Sequence, residues 1–106
     1  MKLALVLALI ATPALAETPL TGDAFEDLVE GKTLTFSNGV APYGVEYYAP
    51  NRRVVWSFVD DECITGDWYE DANENGPTIC FIYENDNDPK CWHVFDVDGQ
   101  IRADLV

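Results

Sequence analysis

The sequence predicts a mainly β protein: an antiparallel meander of six to seven strands, a strongly twisted sheet or small barrel, with one short N-terminal helix. Three observations carry this. From Thr33 onward, short runs rich in aromatic and β-branched residues alternate apolar and polar side chains with a period of two. Brief clusters of Asn, Asp, Gly and Pro separate the runs, and links this short join antiparallel neighbours, because a parallel crossover needs a dozen or more residues. Helical spacing of apolar residues occurs only near 21–30.

Residues 1–16, MKLALVLALIATPALA, combine one basic residue, a short apolar run and an Ala14-Leu15-Ala16 ending, the pattern of a cleaved export signal. The run is shorter than the roughly 20 residues a bilayer requires, so no membrane span is expected in the mature chain. Cleavage near Ala16 leaves residues 17–106 as a single β-rich domain in the periplasm or outside the cell, and this domain is expected to be a monomer. A chain of that size buries only about two thirds of its unfolded surface, so a covalent cross-link has value.

The helix is bounded by Thr21 as N-cap and Gly31 as terminator, with Asp23 in the first turn where the helix dipole favours an acid. Leu20 and Phe25 have the spacing of a hydrophobic staple, and Phe25, Leu28 and Val29 form one apolar stripe that must lie on the sheet. Strands follow near 33–37, 43–49, 53–59, 63–70, 78–84, 91–97 and 100–104. Asp71 to Pro77 and Asn85 to Lys90 are expected as loops, and Asp98-Gly99 as a tight hairpin turn. Within the strands, Val54, Trp56 and Phe58 share one side, as do Ile64, Gly66 and Trp68, and Ile79, Phe81 and Tyr83.

Cys80 and Cys91 lie on consecutive strands flanking one loop, which makes them the preferred disulfide over the alternative Cys63–Cys80. Cys63 is then the odd thiol, expected as a small buried side chain. His93 is the lone histidine; a pairing with Cys63 for thiol chemistry is weighed against a structural role, and the structural role is preferred. Asp71, Asn73 and Asn75 match the first half of a calcium loop, D-x-[DN]-x-[DN]-G, but Ile82 stands where the closing bidentate Glu belongs. No cofactor is expected, with calcium at these three residues the exception to test. Gly66-Asp67-Trp68 has the G-x-W form of lipocalin-like barrels, and also the form of a strand glycine making room for a neighbouring ring. Among the strand carboxylates, Glu46, Asp67 and Glu84 are the ones whose burial would raise a pKa.

Six basic and 19 acidic residues give a formal charge of -13, and setting aside Lys2 makes it -14. A nucleic-acid partner is therefore not expected, since phosphate binding relies on clustered Lys and Arg. The series GKTLTF, YGVEYYAPNRRVVW, CITGDWYE, ICFIYE and PKCWHVF, covering most of residues 31–95, resembles a family of small exported alphaproteobacterial proteins. The resemblance implies an exported, disulfide-bearing domain of unknown function and no catalytic residues. The residues themselves point to a non-catalytic binding or interaction module. Tyr43, Tyr47, Trp56, Trp68 and Phe81 would enclose a small apolar ligand or present a patch to a cell-envelope protein. The alternatives are a calcium-stabilised structural module and a small hydrolase.

Overall fold

The computed structural model describes residues 17–106; the predicted export signal lies outside them. Helix α1 spans Gly22–Val29 and is followed by seven strands: β1 (Thr33–Ser37), β2 (Pro42–Ala49), β3 (Arg53–Phe58), β4 (Ile64–Asn73), β5 (Gly76–Tyr83), β6 (Asp86–Val97) and β7 (Gln100–Leu105). Every neighbouring pair is antiparallel and the spatial order is the chain order, so the sheet is an unbroken meander. It curls into a half-barrel in which β1 and β7 stay unpaired with each other.

Alternation sets the two faces. The concave face collects Tyr48, Val54, Trp68, Ile79, Phe81 and Val94, and helix α1 lies across one end of it, inserting Phe25 and Val29 to complete the core. Phe25 meets Tyr48 and Trp68 edge-on, with ring centroids 5.5 and 5.0 Å away, an arrangement aromatic quadrupoles favour. The helix starts as its sequence dictates: Thr21 Oγ1 accepts the Ala24 N–H at 3.2 Å, and Glu70 reaches across from β4 to accept the Gly22 N–H at 2.6 Å. It ends where Gly31 turns out and donates its N–H to the Tyr48 carbonyl at 2.7 Å, delivering the chain to the sheet edge.

Arg52 fastens the helix from outside. Its guanidinium pairs with Asp23 and Glu26, each at 3.0 Å, and stacks 4.5 Å from the centroid of the Trp68 ring. It occupies the Pro50–Arg52 turn between β2 and β3, where Asn51 and Arg52 have φ of 63° and 59°. For a long side chain that conformation is uncommon, and here the paired guanidinium holds it.

Two segments differ from the sequence expectation. Asp71 to Pro77 and Asn85 to Lys90 are mostly strand: β4 and β5 pair as far as Asn73 opposite Gly76, and β6 begins at Asp86 opposite Tyr83. Their polar composition marks hairpin arms that extend past the core, where the ladder supplies the stability that apolar burial does not. Pro89 fits because the β5–β6 register shifts between Phe81 and Tyr83, placing it in a bulge where no ladder donor is needed. At the β6–β7 turn, Asp98 and Gly99 both have positive φ, the backbone a two-residue hairpin requires.

The disulfide joins Cys80 to Cys91, which face each other in the β5–β6 register. Cys63 is corrected: it is exposed, because it stands just before the first β4 residue and outside the pairing of Ile64 with Trp56. Gly66 resolves the G-x-W signal. A Cβ there would come within 2.5 Å of the Ile82 carbonyl oxygen and 2.8 Å of the Tyr83 ring, so the glycine lets β5 and its tyrosine approach.

Candidate ligand-binding groove

The open side of the half-barrel is a groove of about 1010 Å³ between the walls formed by β1 and by β6–β7. Leu34 and Phe36 line it from β1, Trp92 from β6, and Ile101 and Ala103 from β7. Each is only partly buried although it packs against the core, because the half-barrel has no further strand to cover it.

Of the five aromatic residues expected to enclose a ligand, three line this groove: Tyr43, Trp56 and Phe81. Tyr43, Trp56 and Phe58 form a cluster at the end away from the helix, with centroids 5.3 to 5.8 Å apart. Tyr43 reaches it because the β1–β2 register shifts beside it, between Phe36 and Ser37. The other two are elsewhere. Tyr47 alternates to the convex face, opposite Thr33 and Val55, and Trp68 is core beneath Phe25 and Arg52.

Between the aromatic cluster and the helix lies Glu46, only 3 % exposed and part of the groove lining. Strand alternation puts it on the concave side with Tyr48, and its neighbours across the ladder are Leu34 and Trp56. Tyr48 donates its hydroxyl to Oε1 at 3.2 Å, and Tyr83 donates to Oε2 at 2.6 Å. Burial pushes the Glu46 carboxyl up from 4.5 to about 7, against the lowering effect of the two hydroxyl donors. Both phenols are pushed well above their ordinary value, first by burial and then by the Glu46 charge, so they remain donors. The result is an acid that changes charge near neutral pH inside an apolar groove.

Tyr83 could not be assigned to Glu46 from local pattern, since they are 37 residues apart and meet only through the registers of β2 to β5. The other two carboxylates named from the sequence are surface groups: Asp67 of β4 pairs with Arg53 at 3.3 Å, both more than half exposed, and Glu84 lies not in a strand but in the turn after β5, where it accepts from the Thr65 hydroxyl.

Asp71 and Asn73 lie in β4 and Asn75 in the following turn; Asn73 Oδ1 takes the Asn75 N–H at 2.9 Å and faces His93 Nε2 at 3.0 Å. Among the described residues, no group of three or more His, Cys, Asp or Glu side chains gathers around a common cation position. Cys63 and His93 are far apart: Cys63 precedes β4 and His93 touches its last residue, about 30 Å along a ten-residue strand. Comparison with protein-family models, curated proteins and solved structures returned no match for this chain.

Proposed function

We propose that the protein is an exported, non-catalytic binding module whose groove holds a small, mainly apolar ligand. The observation that carries this is a groove of about 1010 Å³, walled by aliphatic and aromatic side chains, with a single buried carboxyl in its lining. That volume is at the upper end of the range for small-molecule sites, and the mainly apolar surface around Glu46 suits them, with polar side chains such as Asn38, Asp86, Lys90 and Arg102 also in the lining. Binding is favoured over catalysis because Glu46 contacts two phenols that stay protonated and no nucleophile. Export is supported by the Cys80–Cys91 bond, which persists in oxidising compartments, and by the leader-like residues 1–16. Among the described residues no helix is long and apolar enough to cross a membrane.

The test is titration of the purified, oxidised protein with Nile red, a neutral apolar dye. We expect saturable one-to-one binding with a blue shift in emission, and loss of at least about tenfold in affinity on Ala103→Trp, which fills the groove from β7. Ala103 is only partly buried, so the melting temperature should hardly change. No saturable binding, or unchanged affinity in the filled variant, would refute the reading.

A further inference from the structure

Among the described residues, Glu46 has no counter-ion. Its two partners are neutral phenols, one on each carboxylate oxygen, and among the described residues no Lys, Arg or His nitrogen pairs with it. A carboxylate has about four acceptor positions, so roughly one on each oxygen remains uncommitted. Three cations line the groove, and none of them is paired with Glu46. Lys90 is held by Asp86 and Asp88, Arg102 by Glu17 and Asp104 with its guanidinium over Phe95, and Lys32 is an exposed side chain at the rim of the groove, before β1.

Toward Glu46, β2 offers Tyr48 and, farther along, Tyr43; β5 offers Tyr83; β1, β3 and α1 present Leu34, Phe36, Trp56, Phe25 and Leu28, none of which titrates. Asp86, Asp88 and Lys90 of β6 lie at the groove's polar margin and satisfy one another.

An unpaired carboxylate in apolar surroundings is costly, and the compensation it lacks is a positive charge delivered without water. We propose that Glu46 is the head-group site of the groove and that its ligand is an amphipathic amine, the ammonium on Glu46 and the hydrocarbon along Leu34, Phe36, Ile101 and Ala103. This rests on the reading of the groove as a binding site. The ammonium's three N–H donors match the two open carboxylate positions plus a phenol oxygen. The chain's excess of acids draws cations toward it and disfavours an anionic head group. An alcohol of the same length fits the walls but leaves the charge on Glu46 unpaired.

The experiment is calorimetry with octylamine, octan-1-ol and octanoate from pH 6 to 8.5, where an alkylammonium stays charged. At pH 8 octylamine should bind at least about tenfold tighter than octan-1-ol, and octanoate weakest. Octylamine affinity should rise about tenfold from pH 6 to pH 8, as the competent, ionised fraction of Glu46 grows. Glu46→Gln should abolish both the amine preference and its pH dependence while keeping octan-1-ol binding, which also reports that the variant is folded. Tyr83→Phe removes the shorter hydrogen bond to the carboxylate, so the rise should move to higher pH; this variant carries the test if Glu46→Gln is unstable. Equal binding of amine and alcohol at pH 8, or a preference that survives Glu46→Gln, overturns the head-group assignment and leaves the groove reading standing. Absence of binding by every probe, Nile red included, overturns both.

Discussion

Glu46 is a compromise between folding and site chemistry, and the compromise has a sign. Its carboxyl titrates at about 7 in the folded chain against an ordinary 4.5, so the folded state holds the proton more tightly than the unfolded state. The stability this provides is fully present below pH 4.5 and drains away as pH rises, until it is gone above about 7. At about 1.4 kcal/mol per pH unit, ionised Glu46 costs the fold on the order of 3 kcal/mol at pH 8. Glu46→Gln, similar in shape and never charged, should therefore be more stable than the natural chain at pH 8 by about 2 kcal/mol and nearly equal at pH 5. Thermal melts at the two pH values check this, and a variant less stable at pH 8 would show that the carboxylate is compensated by something else. A residue kept against stability is what a binding role predicts. The sequence singled out Glu46 as a strand acid whose burial would raise its pKa, but the choice of Tyr43 and Tyr47 as groove aromatics took the opposite side of β2 from the buried Glu46 and Tyr48. Tyr83 was out of reach, because its hydrogen bond depends on four strands keeping register. Cys80 and Cys91 were within reach for the opposite reason, as they face each other across one hairpin.

At the level of elements, helix α1 is held to the sheet by Phe25 and Val29, of which Phe25 is the larger. Phe25 is 1 % exposed and its centroid lies within 6.4 Å of Tyr48, Trp68 and Phe81. The ion pairs from Arg52 reach the helix from its solvent side, and Asp23 is nearly fully exposed, so they contribute little beside the ring. Phe25→Ala should cost about 3–5 kcal/mol, and each kcal/mol lowers the melting temperature of a domain this size by about 4–8 °C. A loss below about 1 kcal/mol in denaturant melts would mean the helix rides on its ion pairs and caps instead. This helix was legible because cap, staple and terminator are all local signals: Thr21, Leu20 with Phe25, and Gly31. The two hairpin arms were not. Asp71 to Pro77 carries Asn, Asp, Gly and Pro in the density of a loop, yet Ala72 pairs with Pro77 and Asp71 with Thr78. Composition there reflects exposure, while conformation follows the ladder already begun in the core.

For the whole molecule, the sequence left open whether the sheet closes, since closure depends on strand tilt and stagger summed over seven strands. The half-barrel that results has two short free edges, β1 and β7, and a charge balance that governs how firmly it holds together. Residues 17–106 carry 19 acids against five bases, and four of those bases are already in ion pairs: Arg52, Arg53, Lys90 and Arg102. Every one of these pairs is at least partly exposed and is worth about 0–1 kcal/mol. Added salt weakens them, and it also screens the repulsion among the excess acids. At low salt that repulsion acts over about 30 Å, which spans most of a small domain, and near 0.1 M it acts over about 10 Å. Repulsion among the unpaired acids is the larger quantity, so screening should win. Raising sodium chloride from about 10 mM to 500 mM at pH 8 should lift the melting temperature by several degrees, with most of the gain below about 0.1 M as the screening length falls fastest. The same rise should appear in Glu46→Gln, because the effect belongs to the surface and not to the groove. A melting temperature that falls with salt would mean the four cation clusters outweigh the net charge, and the surface would then be read as a stabilising network.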